Sequence, residues 1–312
     1  MSLANTGVLV AATAPAKINL SLGVGPNRSD GFHTLATVYQ AIGLYDRVTV
    51  RPADETTVAV TATEGRVPVH DVPLDATNIA VRAARLLAEQ HGLERDVAIT
   101  IDKGIPVAGG MAGGSADAAA TLLACDHLWG LDSAREDLLL VAAELGSDVP
   151  FALVGGTAIG TGRGETVTPL MTRGEYWWVV LESSRGLSTP EVYRTFDELT
   201  GGDVGDPAIP DALVLALRGA DAEALGASLT NDLQPAALRL RPELGAALEQ
   251  GLEESALGAI VSGSGPSCLF LCQSRSHALH VATALRACDL GPVSSAPGPV
   301  HGARVVAAEG TA

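Results

Sequence analysis

The segment best suited to chemistry is Pro106-Val-Ala-Gly-Gly-Met-Ala-Gly-Gly-Ser115, which leads from a predicted strand into a predicted helix. Glycine removes Cβ and lets backbone N–H groups converge on an anion. The helix N-terminus adds further donors and a partial positive charge. Ser115 can cap that helix or touch a phosphate or Mg2+. The chemistry implied is phosphate binding, and a flexible strand-to-helix connection is the plainer reading of the same glycines. Several familiar loops are excluded. A Walker A loop needs Gly-Lys, and neither lysine of this chain follows a glycine. The glycine spacing of a dinucleotide-binding turn is wrong, and no ribose-binding acid follows at the required distance. The HRD, DFG and GxSxG motifs are absent.

Two further segments carry polar groups in apolar surroundings. Pro15-Ala-Lys-Ile-Asn-Leu-Ser21 places Lys17, Asn19 and Ser21 on one face of an early strand, because side chains alternate along a strand. A snorkelling lysine at a sheet edge gives the same pattern. Lys17 stands out for scarcity: of 20 basic residues only Lys17 and Lys103 are lysines, and the rest are Arg. In so Arg-rich a chain, a position that stays Lys marks a need for an ammonium. Ser262-Gly-Ser-Gly-Pro266 is a second tight glycine turn, between two apolar strands, where a hairpin or bulge is the plainer reading.

Composition narrows the setting. The chain has 312 residues, with 36 acidic against 20 basic and a net charge of −16. That balance excludes a sequence-independent nucleic-acid binder and polybasic membrane attachment. With 47% hydrophobic and 18% charged residues, it also excludes intrinsic disorder. Met1 to Ala16 has no basic residue before Lys17, unlike a secretory signal, and the uncharged stretch Ser255 to Ser274 is broken by Gly263, Gly265 and Pro266. The expectation is a soluble, cytoplasmic protein. The four cysteines form no CxxC pair, and Cys268 and Cys272 lie about 13 Å apart in a strand, too far to bridge. Buried free thiols are expected. His277 and His280 could share a helix face, but no nearby ligand completes a set, so no protein-held metal is expected.

These groups need elements to hold them. Val8 to Val24 reads as one or two strands interrupted at Pro15, followed by strands at Thr34 to Arg51, Thr56 to Thr63 and Val97 to Ile101. Helices are predicted from Asn78 to before Gly92, over Ser115 to Trp129, and over Ser133 to Leu145. After residue 165 a strand at Tyr176 to Leu181 leads into helical patterns from Pro190 to Glu254, interrupted at Gly201 to Asp206. The chain closes with strands at Leu257 to Val261, Cys268 to Cys272 and Ala303 to Ala307, and a helix at Ser276 to Cys288. Strand runs with segregated helices predict an α+β fold, with domains at 1–168 and 169–312.

Taken in order, the Lys17 strand, the 106–116 loop and the 262–266 turn resemble the three motifs of the GHMP kinase superfamily of small-molecule kinases. Arg28-Ser-Asp-Gly-Phe-His-Thr34, Gly146-Ser-Asp-Val-Pro-Phe151 and Ser188-Thr-Pro190 narrow the resemblance to its branch acting on 4-diphosphocytidyl-2-C-methyl-D-erythritol. The resemblance implies a ribosomal S5 domain 2-like N-terminal domain and a ferredoxin-like C-terminal domain, with ATP and a small cytidyl diphosphate meeting in the cleft. It implies Lys17 and Asp148 as the catalytic pair, although Gly-Ser-Asp-Val-Pro also suits an N-cap at Asp148. For ATP it implies Asn78 and Lys103 flanking adenosine, and a loop of Pro106, Val107, Ala108, Gly109, Gly110, Met111, Ala112, Gly113, Gly114, Ser115 and Ala116. For substrate it implies Asn19 as orienter, Phe32 and Tyr193 stacking on cytosine, His33 reading its edge, and Thr189 nearby, where an N-cap before Pro190 is equally served. Mg2+ would arrive mainly on the ATP phosphates. Ala108, Met111, Ala112 and Ala116 depart from the family loop, and Pro266 removes one possible donor from the third motif. Another GHMP kinase, such as homoserine kinase, and a non-catalytic nucleotide-binding regulator are the alternatives.

Overall fold

Runs of β-branched and small apolar residues build the two longest strands, β1 (Leu9–Asn27) and β2 (His33–Ala53), paired antiparallel. The computed structural model describes residues 7–29, 31–62, 69–107, 109–183 and 185–309. The break expected at Pro15 does not occur. β1 runs through it, and the β1–β2 register shifts between Pro15 and Ala16, so a bulge accommodates the residue that has no N–H.

β3 (Thr57–Ala62), β4 (Asp96–Lys103), β5 (Thr157–Gly162), β6 (Thr166–Pro169), the short β8 (Thr230–Asn231) and β12 (Arg304–Glu309) complete the larger sheet. Its order is β12-β1-β2-β4-β3, with the β5–β6 hairpin on β2 and β8 beside β1. The β5–β6 hairpin was not predicted. The strand expected at 303–307 is β12, and it returns to pair with β1 rather than joining the smaller sheet. α1 (Ile79–Gln90), α2 (Gly113–Trp129), α3 (Arg135–Leu145) and α4 (Val149–Val154) pack together, with α2 against both long strands. Ala116, Ala118, Ala119, Ala120 and Ala124 of α2 are buried, and their small side chains let the helix lie close to the sheet. Larger side chains such as Leu87 and Ile101 fill the same core, each worth about 1.5–3 kcal/mol of burial.

The smaller sheet has the order β11-β7-β10-β9, from β7 (Tyr176–Leu181), β9 (Gly258–Val261), β10 (Cys268–Cys272) and β11 (Val293–Gly298). Trp178 and Val180 of β7 join the core shared with the larger sheet. Val179 and Leu181 face a second core with Phe270 and with residues of α9 (Glu243–Glu253) and α10 (Arg275–Arg286). Burial on both faces explains why Tyr176 to Leu181 reads as an unbroken apolar run. Between β7 and β9 lie α5 (Thr189–Thr200), α6 (Asp211–Gly219), α7 (Ala222–Ala227) and α8 (Gln234–Leu240). One buried amide ties the sheets: Trp178 Nε1 donates to Gln40 Oε1 at 2.8 Å, and Gln40 Nε2 donates to Thr157 Oγ1 at 3.1 Å.

All four cysteines are free, and Cys125, Cys268 and Cys272 are buried. Burial pushes the Cys268 and Cys272 thiols up to about 12, which leaves them unreactive. Among the described residues no helix is long and apolar enough to cross a membrane.

Candidate active site

The alternation of β1 and β2 brings Lys17, Asn19, Thr37 and Tyr39 to one place, with Asn19 directly opposite Tyr39. Lys17 is only 7% exposed. Its Nζ donates to Asn19 Oδ1 at 3.1 Å and lies 3.3 Å from Asp148 Oδ2. Asn19 Nδ2 donates to Thr37 Oγ1 at 2.8 Å, and the Thr37 hydroxyl donates to the Ser21 carbonyl at 2.6 Å. Asp148 does precede α4, but it makes no capping bond, so the N-cap reading fails and its carboxylate belongs to Lys17. Burial, and then the nearby Asp148 charge, push the Tyr39 phenol well up, so it stays protonated. Lys17 Nζ also sits 5.1 Å over the Tyr39 ring. Tyr39 was not anticipated, although its place two residues after Thr37 on a strand beside Lys17 was available as a signal.

α2 begins at Gly113, two residues before the predicted start. Ala112 occupies the cap position with φ 58° and ψ 36°, a left-handed conformation that costs a residue bearing Cβ about 1–2 kcal/mol. Ser115 therefore does not cap the helix. The Ala116 N–H bonds to the Ala112 carbonyl at 2.9 Å, which removes it from phosphate binding and leaves the N–H groups of Gly113, Gly114 and Ser115 ahead of the helical ladder. Two contacts fix the loop. Lys17 N donates to the Met111 carbonyl at 3.1 Å, so the loop hangs from the strand carrying the lysine. Gly110 (φ 72°) crosses the 262–266 turn, where a Cβ would lie 3.0 Å from the Ser262 carbonyl oxygen and 2.9 Å from that of Gly265. The 262–266 turn thus buttresses the 106–116 loop, and Asn231 Nδ2 holds the turn through the Val261 and Gly263 carbonyls, both at 2.8 Å.

A cavity of about 410 Å³ lies against this loop, walled by Pro106, Val107, every residue from Gly109 to Gly114, Asn78, Lys103 and Asp117. Ser115 and Ala116 are not on its wall, and Ala108 lies outside the described residues. The Asn78 side chain caps α1 by accepting from Ala80 N at 2.9 Å, and it donates to the Pro73 carbonyl at 2.7 Å. Lys103 is committed more completely. Its Nζ lies 2.5 Å from Asp46 Oδ2 and 2.8 Å from Asp117 Oδ2, and Asp46 Oδ1 accepts the N–H groups of Gly104 and Ile105, each at 2.8 Å. Burial opposes the Lys103 charge, but the two carboxylates outweigh it and hold its pKa above the ordinary value. Burial, and then the Asp46 charge, push the Asp117 carboxyl well up. Lys103 reaches the cavity wall, yet its ammonium is taken by carboxylates that pin the end of β4 to α2.

A second cavity, of about 440 Å³, is lined by Phe32, His33, Thr189, Tyr193 and Arg163 among others. Phe32 is 53% exposed, with the Arg163 guanidinium 5.1 Å over its ring. The His33 ring stacks on Tyr193 at 5.2 Å, so here the partner of Tyr193 is an imidazole. His33 Nδ1 donates to the Gly25 carbonyl at 2.8 Å and Nε2 lies 3.4 Å from Asp197 Oδ1. Burial, and then the Asp148 charge, push the Tyr193 phenol up to about 12. Thr189 lies inside α5 with Ser188 as its cap, and its hydroxyl bonds the Ser264 hydroxyl at 2.8 Å, so it is no N-cap.

A central cavity of about 220 Å³ holds Lys17, Asn19, Tyr39 and Asp148. It shares Gly110 and Ala112 with the loop cavity, and Leu35, Arg163, Thr189 and Tyr193 with the aromatic one. A carboxylate–ammonium pair therefore stands between an anion cradle and an aromatic pocket, which suits transfer of a group from one to the other.

Comparison with known proteins shows the family. The GHMP kinases N terminal domain family matches residues 78–156, and the GHMP kinases C terminal family matches residues 213–289. A 4-diphosphocytidyl-2-C-methyl-D-erythritol kinase of a Nocardioides species is 56% identical over 293 residues, covering 94% of this chain and 98% of that protein. The chain belongs to the 4-diphosphocytidyl-2-C-methyl-D-erythritol kinase family of GHMP kinases. Members of this kinase family take ATP as phosphoryl donor, and the two-domain GHMP kinase fold holds for this chain. A solved 4-(cytidine 5'-diphospho)-2C-methyl-D-erythritol kinase, 33% identical, matches with a TM-score of 0.74 over 92% of this chain and 98% of its own. A homoserine kinase from Cytophaga hutchinsonii, 23% identical, gives a TM-score of 0.72 over 96% of this chain and 97% of its own, which speaks for the shared fold alone.

Proposed function

We propose that the protein transfers the γ-phosphoryl group of ATP to the 2-hydroxyl of 4-diphosphocytidyl-2-C-methyl-D-erythritol, in non-mevalonate isoprenoid precursor synthesis. The observation that carries this reading is the continuity of the three cavities, with the Lys17–Asp148 pair in the middle one. ATP lies in the loop cavity, its phosphates on the N–H groups at the start of α2. The cytidine lies against Phe32, His33 and Tyr193, which brings the acceptor hydroxyl to the central cavity. Asp148 accepts the hydroxyl proton. Lys17 pairs with that carboxylate and offsets charge on the transferring phosphoryl group, while the protonated Tyr39 lies under the Lys17 ammonium. Asn19, held by Lys17 and Thr37, orients the acceptor.

The residues do not make a Mg2+ cage. Asp71 and Asp117 are the carboxylates on the loop cavity wall, Asp117 is bound to Lys103, and among the described residues no three metal-ligating side chains cluster. We assign the ion to the ATP phosphates and water. The four free thiols fit a reducing compartment, and we place the enzyme in the cytoplasm. We set the domain boundary at 168/169, with β12 returning to the first sheet.

An acceptor panel with ATP tests the reading. The cytidyl diol, homoserine and mevalonate are each supplied, and ADP release and the phosphorylated product are measured. Turnover of the cytidyl diol alone is expected. Turnover of homoserine in its place would overturn the assignment, and no turnover of any acceptor would leave the non-catalytic reading.

A further inference from the structure

The proposed substrate carries a diphosphate between its base and its acceptor hydroxyl, and nothing described above binds it. A ligand with its base in the aromatic cavity and its hydroxyl beside Asp148 must pass the diphosphate across the wall that the two cavities share. That wall consists of Leu35, Arg163, Thr189 and Tyr193. Leu35 is apolar, Tyr193 is stacked on His33, and the Thr189 hydroxyl is bonded to Ser264. Arg163 is the one charged member. We infer that Arg163 is the diphosphate-binding residue of this site and sets its preference for a cytidine diphosphate over cytidine. The inference rests on the proposed cytidyl substrate.

The turn around Arg163 is built to present it. Gly162 (φ 74°) and Gly164 (φ 102°) flank it in conformations that suit glycine, and a Cβ on Gly164 would run into the Tyr39 hydroxyl. Arg163 N donates to Glu165 Oε2 at 2.5 Å, and Arg163 Nε lies 3.7 Å from Glu165 Oε1. Glu165 thus holds the backbone and the near edge of the guanidinium, while Phe32 lies under its plane. The terminal nitrogens make no ion pair among the described residues. The side chain is 35% exposed, so ligand can reach it. A planar guanidinium offers two parallel N–H groups to phosphate oxygens, which an ammonium cannot match. The position also suits the charge balance. Lys17 is paired with Asp148 and Asp197 faces His33, so an entering dianion needs a further cation at this wall.

Calorimetric titration of the full chain with cytidine, CMP and CDP tests the inference, with an unreactive ATP analogue filling the loop cavity. The unmodified protein should bind CDP about 10–100-fold more tightly than cytidine, the size expected of hydrogen bonds to a charged group. In Arg163→Ala and Arg163→Gln the CDP preference should shrink to within about threefold, with cytidine affinity retained, and Arg163→Lys should keep part of it. Steady-state kinetics should show KM for the cytidyl diol rising more than kcat falls. A CDP preference that survives both substitutions, or that the unmodified protein lacks, would overturn the inference while leaving the cytidine pocket standing. Failure of the unmodified protein to bind either cytidine or CDP would instead overturn the substrate reading, and the role of Arg163 with it.

Discussion

Lys17 and Lys103 are the two lysines of the chain, both nearly sealed from solvent, and their surroundings give them opposite uses. Lys17 faces one carboxylate at 3.3 Å and one amide oxygen at 3.1 Å, and it lines a cavity. Lys103 sits between two carboxylates at 2.5 and 2.8 Å, one of them fixed further by two backbone N–H groups. An ammonium has three donors. Each uses two of them, but Lys17 faces a single carboxylate and its remaining charge can meet an incoming phosphoryl group, whereas the charge of Lys103 is taken by a pair of acids that fasten strand to helix. Burial alone does not separate the tool from the fastener; the number of anions around each ammonium does.

The largest test of that contrast is Asp148→Asn. Loss of the proposed base should lower kcat by about 10²–10⁴-fold, followed by ADP release, with the thermal midpoint little changed. Undiminished turnover would remove the catalytic half of the comparison. Lys103→Met should do the reverse. It leaves Asp46 and Asp117 buried without their cation, at a cost of about 3–5 kcal/mol in urea unfolding. Adding Asp117→Asn should restore part of that loss, and a double variant no more stable than the single one would show that the three residues do not act as a unit. Glu182 supplies a smaller, third case. Burial without a compensating cation pushes its carboxyl from an ordinary value of 4.5 up to about 7. Because the folded value is raised, the protein gains relative stability below about pH 4.5 and loses it as pH rises through about 7. Glu182→Gln does not titrate, so it should be the more stable form at pH 8, by up to about 3 kcal/mol. The gap should close at pH 4.5, and equal unfolding midpoints at pH 8 would refute it.

Much of this was legible in the chain, for physical reasons that differ between elements. Alternation along the first strand placed Lys17 and Asn19 together, and Asn78 announced its helix because a short amide side chain is a good cap. The run Tyr176 to Leu181 could be read directly because both its faces are buried. The start of α2 was misplaced because Gly-Gly is a poor helix former, and packing against β1 and β2 overrides that preference. β11 was hidden by its Ser, Pro and Gly content. Asp117 looked like a surface acid in an alanine helix, since its partners Lys103 and Asp46 are 14 and 71 positions away in the chain. Tyr39 and Arg163 were missed for the same reason: each matters through neighbours brought from distant segments.

The return of β12 to β1 has a topological consequence. The Leu9–Glu309 and Thr13–Arg304 pairings place the strand that leaves the smaller sheet beside the strand that opens the larger one. The passage from β7 through β11 is therefore an excursion from the larger sheet that is rooted at both ends and touches it once between, where β8 pairs with β1. Its attachment resembles a drawbridge on two chains more than a pendant on one thread. Severing the 170–175 connection would leave the severed halves registered by the β1–β12 ladder.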